Sequence, residues 1–466
     1  MAAHLVNHND EPSLHDSLKR DKLIIEMAQT IAESDSPLVF GLHGDWGSGK
    51  TSCLRQLKEY LEVNGALTFD QDVQKKSKTY SQLTVVWFEA WRFQHETTPI
   101  VALLHEIRDH FAVLTKTTNA IKKLGEVGIR GLLRTFTELG FSIGGAEIKV
   151  GGLADNVQGE GERWEQEHHG TCLPTAKIRQ FLEEAIHQLL GGKLDDDKDR
   201  RRLLVVVDDL DRCEGEAIVR FLEGIKIYLN LKRCVFVLGV NQREVERAVA
   251  YHLFGCEPNQ SVSDEARGRS ADYVDKICTF IWKLPIPTNA QKVAYAKELL
   301  TNSGLPKPIT NAATKVIDDY DCLPANPRKI KAFVNTVLHL VRARESATAA
   351  KAQLTEVQEG DVSAICLVAL FHLFHPTVLR YLQIYPDYFE QVRRLAMVGF
   401  KDSPKELGVL LATHTYSTNE QGAPNLPPTP LFVDPADNRF CRAQRLIVEG
   451  KLTDAALRPF FGLVPL

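Results

Sequence analysis

A lysine followed by a hydroxyl residue, set behind closely spaced glycines, is the local chemistry that grips a polyphosphate. Gly44, Asp45, Trp46, Gly47, Ser48, Gly49, Lys50 and Thr51 supply it in the pattern G-x-x-x-x-G-K-[ST], with Ser52 counted beside them as a nucleotide-binding residue. The glycines let successive backbone N–H groups face one anion, and a helix beginning here adds the positive end of its dipole. Lys50 would then bridge β- and γ-phosphate oxygens, while Thr51 offers its hydroxyl to Mg²⁺. Trp46 either shields a nucleotide or packs beside the loop; its position in the sequence allows both.

Carboxylates follow much later, where the apolar run 203–207 ends in Asp208, Asp209, Asp211 and Arg212. A buried strand tipped with acids next to a phosphate loop is a Walker B arrangement. In it Asp208 holds the Mg²⁺ shell and Asp209 orients or deprotonates the attacking water. Many related ATPases carry Glu at the second acidic position, and Asp reaches less far. Arg212 fits either an arginine finger or an ion pair with Asp209 or Asp211. Asn241, directly after another apolar run, fits either a contact to the γ-phosphate or a helix N-cap.

These residues need a scaffold, and the apolar periodicity provides one. Runs at 38–42, 83–88, 203–207, 234–240 and 278–284 read as buried strands, alternating with helical spacing at 21–32, 52–63, 100–114 and 215–230. Alternation of this kind predicts a parallel α/β sheet. Beyond Pro287 the period becomes helical at 291–301, 311–320, 327–342 and 362–381. The expected fold class is therefore an α/β P-loop core with a five-stranded parallel sheet, an α-helical lid and a C-terminal helical region. The expected domains are a lead-in segment at 1–36, the core at 37–288, the lid at 289–345 and the C-terminal region at 346–466. A glycine-rich insertion at 117–174 interrupts the core, and a proline-rich loop occupies 416–435. The run 193–202 reads as a solvated, charged turn.

Composition sets the bounds. A hydrophobic share of 44% and a charged share of 25% are those of an ordinary globular protein, and a net charge of −4 argues against a surface wholly devoted to nucleic acid. Nine scattered cysteines without a C-x-x-C pair suggest reduced, buried thiols. The N-terminus has no apolar stretch of the signal-peptide kind, and residues 131–153 are broken by Arg134, Glu138, Glu147 and Lys149. A cytoplasmic protein without a membrane span is expected. The pair His168-His169 lacks the helical spacing of a metal site.

In order along the chain, GDWGSGKT at 44–51, WFEAWRF at 87–93, VVVDDLDRC at 205–213, FVLGVNQREVERAV at 236–249, YVDKICTFIWKLPIP at 273–287 and NPRKIKAFVN at 326–335 resemble the KAP family of P-loop NTPases, of the STAND/AAA+ type. The resemblance implies an additional-strand, catalytic-glutamate ATPase core with a helical lid, and ATP and Mg²⁺ as cofactors. It also implies that Arg328 acts as a sensor arginine for the γ-phosphate. Read from the residues alone, Asn326 and Pro327 open a helix and Arg328 sits in a surface ion pair. Many members carry transmembrane helices between the two nucleotide motifs, and none is visible in the insertion here. Several serve as the ATPase of bacterial antiviral cassettes beside separate effectors.

Three functions fit: a nucleotide-driven assembly switch in an anti-phage complex, a remodelling ATPase acting on protein or nucleic acid, and a scaffold that holds nucleotide with little turnover. Partners would be ATP, further copies of the chain and effector proteins, with nucleic acid possible.

Overall fold

The computed structural model describes residues 5–62, 83–96, 201–226, 231–254, 263–347, 359–384, 386–390 and 438–464, with scattered helical positions between 102 and 190 and at 392–393. The insertion at 117–174, His168-His169 and the proline-rich loop lie outside the described residues. So does most of the charged run at 193–202. The chain divides into two compact units, one of Pro12–Pro285 and one of Met1–Glu11 with Ile286–Leu466. The first 36 residues are thus shared between the units, and the lid and C-terminal regions fall in one.

The first unit contains α1 (Asp21–Glu33), β1 (Leu38–His43), α2 (Lys50–Glu62), β2 (Leu83–Glu89), β3 (Arg202–Asp208), α3 (Gly215–Gly224), β4 (Cys234–Val240), α4 (Gln242–Phe254), α5 (Asp264–Ile277) and β5 (Phe280–Lys283). Its strands form one parallel sheet in the order β2-β3-β4-β1-β5. The expected five-stranded α/β core is present, and β4 is the additional strand between the phosphate-loop strand and the acidic strand. Along β3, Leu203, Val205 and Val207 enter one core and Leu204 and Val206 the other, so the strand is buried on both faces. That period of two explains its unbroken run of branched residues. β5 is shorter than its apolar run, because Cys278 N–H still closes the last turn of α5 on Val274 O.

The start of β3 is tied to the end of α1. Arg202 is buried and its guanidinium donates to the carbonyls of Ile31 (3.3 Å), Ala32 and Ser34. Helix ends leave such carbonyls without intrahelical partners, and a cation satisfies both their lone pairs and the dipole. On the other face of the sheet from α1, Phe88 stacks on Phe221 (centroids 5.5 Å) and on Phe93 (5.1 Å), seating the single 3-10 turn Ala90–Phe93 beyond β2.

The second unit is helical: α6 (Asn289–Asn302), α7 (Lys307–Tyr320), α8 (Pro327–Ala347), α9 (Glu359–Phe374), α10 (Pro376–Ile384), α11 (Asn438–Glu449) and α12 (Asp454–Phe461). α7 begins earlier than its periodicity suggested, since Pro308 is tolerated in a first turn. The single helix expected at 362–381 is two, broken at Pro376, which lacks the N–H and disfavours a helical residue before it. α9 is apolar all round, with Val362 and Ala364 to Phe371 buried, and it packs against α7, α8 and α12 as the unit's centre. Residues 5–11 run along this unit, with His8 and Asn335 exchanging hydrogen bonds of 2.9 and 2.8 Å. Among the described residues no helix is long and apolar enough to cross a membrane.

Arg202→Met would leave the α1 carbonyls buried and unpaired. We expect a loss of about 2–4 kcal/mol in urea unfolding, far above the few tenths of a surface arginine.

Candidate nucleotide site

The site lies at the C-terminal edge of the sheet, where β1, β3 and β4 end side by side. Residue His43 closes β1 and is held from both neighbours: Leu284 N–H donates to its carbonyl (2.9 Å) and Gln242 N–H to its Nδ1 (2.9 Å). A ring whose Nδ1 accepts is neutral with its proton on Nε2, and burial lowers the pKa of His43 in the same sense. Gly44 N–H then donates to Val240 O (3.2 Å), so the loop leaves the sheet anchored to β4.

The loop turns through positive φ at Gly47 (76°) and Gly49 (93°), conformations that favour glycine. Lys50 opens α2 and is itself buried. Its ammonium donates to Gly44 O (2.7 Å) and to Asp211 Oδ2 (3.2 Å). Trp46 is exposed over its ring, yet its indole N–H donates to the same Asp211 oxygen (2.9 Å). Asp45 is exposed, and its carbonyl accepts from Ser48 N–H (3.0 Å). The Ser48 hydroxyl is buried without a protein partner, and the Ser52 hydroxyl accepts from Ser13 N–H (3.1 Å) in the segment leading to α1.

Asp208 ends β3 almost fully buried, with the Thr51 hydroxyl near enough to favour its ionised form, and its Oδ1 has no hydrogen-bond partner. Burial, reinforced by the adjacent Asp209 charge, raises its pKa to about 6. An orphaned buried carboxylate oxygen beside a threonine hydroxyl fits a divalent cation, because it is the group such an ion would satisfy. Thr51 and Asp208 are the protein oxygens that would hold Mg²⁺, which would supply positive charge beside a bound phosphate.

Asp209 follows in left-handed conformation (φ 58°), and Arg212 Nε pairs with its Oδ1 at 2.8 Å. Burial raises the Asp209 pKa while the Arg212 charge opposes the shift. Of the two ion pairs open to Arg212, the structure forms the one with Asp209. Asn241 Oδ1 accepts from Arg243 N–H (3.2 Å) at the start of α4, which is the N-cap geometry. Arg328 lies in the helical unit, where its Nε pairs with Asp10 Oδ2 at 2.6 Å and Asn326 caps α8 through Lys329 N–H (3.2 Å).

Three participants were not visible in the residue types. Asp211 is the carboxylate partner of Lys50. Glu89, opposite Asp208 in the register of β2 and β3, adds negative charge near Asp209. Arg20 is buried before α1 with its Nη1 within 2.9 Å of where a Cβ on Gly49 would lie. Burial lowers its pKa, and its Nη2 has no partner. Register could have pointed to Glu89; no periodicity marks Arg20.

The raised Asp208 pKa has a sign that can be checked. A carboxyl group harder to ionise in the fold than in the unfolded chain costs stability above the folded pKa. That cost fades as pH falls from about 6 toward the ordinary value of 3.8. Asp208→Asn should therefore stabilise the chelator-treated protein at pH 8 by about 2–3 kcal/mol and by only about 0.5 kcal/mol near pH 4. Denaturant titrations at the two pH values check it.

Residues 20–344 match the KAP family P-loop domain. No match is found among curated proteins. Two solved structures of the Aeropyrum pernix ORC2 protein show similarity. One, of its ADPNP-ADP complexes, has 12% identity over 93% of this chain and 94% of that one, with a TM-score of 0.33. The other, its ADP form, has 11% identity over 90% and 84%, with a TM-score of 0.34. The family match begins at the buried Arg20, takes in every strand of the sheet and continues to Arg344 in α8; the chain belongs to the KAP family of P-loop NTPases.

Proposed function

We propose that the chain binds ATP with Mg²⁺ and hydrolyses it, using the binding energy to change its assembly. The observation that carries this reading is a buried ammonium at Lys50 in the phosphate loop together with a buried carboxylate at Asp208, near Thr51, whose Oδ1 has no partner. Two such groups are expensive to desolvate and gain their partners from a Mg²⁺-triphosphate. The loop N–H groups and Lys50 hold the β- and γ-phosphates. Bound Mg²⁺ would neutralise charge on the phosphate oxygens. Asp209 orients water for in-line attack on the γ-phosphorus as the bond to the ADP oxygen breaks. Arg212 fixes the Asp209 carboxylate.

The assembly role is supported by the division into two units, each with its own core, joined at 11–12 and 285–286. A separately cored helical unit can take a new position when nucleotide binds its neighbour. By this reading Arg328 leaves Asp10 for the γ-phosphate, and effector proteins of an anti-phage complex respond to the new assembly. The anti-phage setting rests on the family resemblance. A second reading, a scaffold that holds nucleotide with little turnover, is favoured by one observation: Asp209 is short and already neutralised by Arg212.

Steady-state phosphate release separates the two. For a hydrolase, Lys50→Ala abolishes turnover, and Asp209→Asn lowers kcat on the order of 10²-fold or more while nucleotide affinity stays within about threefold. A wild-type rate no higher than that of Lys50→Ala sinks the hydrolase. Light-scattering mass with and without ATP tests the switch, and an unchanged mass counts against it.

A further inference from the structure

Asp211 lies outside the strand and outside the expected cation ligands, yet its side chain is only 2% exposed. Both of its described hydrogen bonds come from the phosphate loop, from Lys50 Nζ (3.2 Å) and Trp46 Nε1 (2.9 Å), and both fall on Oδ2. Lys50 has three N–H donors. One is committed to Gly44 O and one to Asp211.

We propose that Asp211 is a positioning residue, a built-in anion that shares the Lys50 ammonium with the phosphates of a bound nucleotide and thereby sets nucleotide affinity, with Trp46 holding its carboxylate in place. The proposal rests on the nucleotide reading above. A carboxylate within hydrogen-bonding distance of Lys50 must also lie close to any phosphate that Lys50 grips. Both anions would act on one cation beside a side chain that is nearly closed to solvent, where screening is weak. Each therefore weakens the hold of the other on the single cation. Removing the Asp211 charge while keeping its shape should tighten nucleotide binding, an effect opposite in sign to that of damaging the loop.

Trp46 makes the exchange observable. Its N–H is bonded to the oxygen that Lys50 also uses, so a phosphate that draws on Lys50 alters the charge balance next to the indole. Replacing Trp46 with Phe keeps the apolar ring and removes only the donor.

The test compares the full-length wild type with Asp211→Asn and Trp46→Phe, titrating ATP in the presence of a chelator by calorimetry and by tryptophan emission. Asp211→Asn is expected to lower the Kd for ATP by about fivefold or more, as removal of one nearby unit charge in a poorly screened site requires. ATP should change the emission of the wild type, and this change should be absent in Trp46→Phe. A Kd for Asp211→Asn equal to or above that of the wild type overturns the proposal. Where Asp211→Asn fails to fold, the emission decides: a wild-type emission unchanged by bound ATP, or a change that persists in Trp46→Phe, overturns it equally. Where the wild type needs Mg²⁺ to bind, the same comparison is made with Mg²⁺ present; if it binds no ATP then either, the nucleotide reading falls and Asp211 with it. If it binds ATP and Asp211→Asn binds no tighter, only the role of Asp211 falls.

Discussion

Keeping opposite charges dry at one edge of a parallel sheet is the constraint on which this structure turns. Lys50 and Asp208 are each buried, and each would be expelled to solvent or neutralised without a shell that holds it. The sheet order supplies that shell. With β4 between β1 and β3, the loop after β1 is anchored to Val240 O, while Asp208 stands one strand further on. The turn after β3 then carries Asp211 back to Lys50. The branched residues of β3 and β4 on both faces make this edge rigid enough to keep the groups in place.

Two buried lysines show how the same cost is met in different ways. In the helical unit Lys292 is as buried as Lys50, but its ammonium is taken up by Asp321 and by Leu323 O (2.9 Å), closing the end of α7. Its partners belong to one corner of the helical packing, and its work is structural. Around Lys50 the shell is left incomplete: Asp208 Oδ1 and Ser48 Oγ have no protein partner within it. Buried polar groups are normally paired, so unsatisfied ones gathered at a phosphate loop mark where a ligand enters the energetics. Arg202 belongs with Lys292, since its donors go to the carbonyls at the end of α1.

Much of this was legible in the amino-acid sequence because it depends on local pattern. The glycine spacing of the loop, the branched run before Asp208 and the alternation of strand and helix each follow from short-range chemistry, and the five parallel strands lie where that alternation put them. Helix ends were less legible. The 362–381 periodicity runs through Pro376, where the chain stops one helix and starts another. α5 escaped because its polar face dominates the segment 264–277. Partnerships across distance were the least legible. That Arg212 pairs with Asp209 and Lys50 with Asp211 depends on how one turn bends, which residue types alone leave open.

That turn also accounts for the aspartate at position 209. The chain leaves β3 fully extended and must reverse within a few residues to bring Asp211 onto Lys50. It does so through a left-handed residue at 209 followed by the single 3-10 turn Leu210–Arg212. Among residues with a side-chain carboxylate, aspartate is the one enriched in left-handed backbone, because its short polar side chain interacts locally. The same short side chain sets Arg212, three residues on, within reach of its carboxylate. The sequence Asp208-Asp209-Leu210-Asp211-Arg212 is thus a single geometric solution: a buried carboxylate with a free oxygen at the strand end, a left-handed pivot able to carry charge, an apolar residue turned into the core, a carboxylate returned to the phosphate loop, and a guanidinium that pairs with the pivot. Glutamate at the pivot would reach further toward a substrate but would fit that backbone less well, which links the reach of the acidic group to the presence of Asp211 at Lys50.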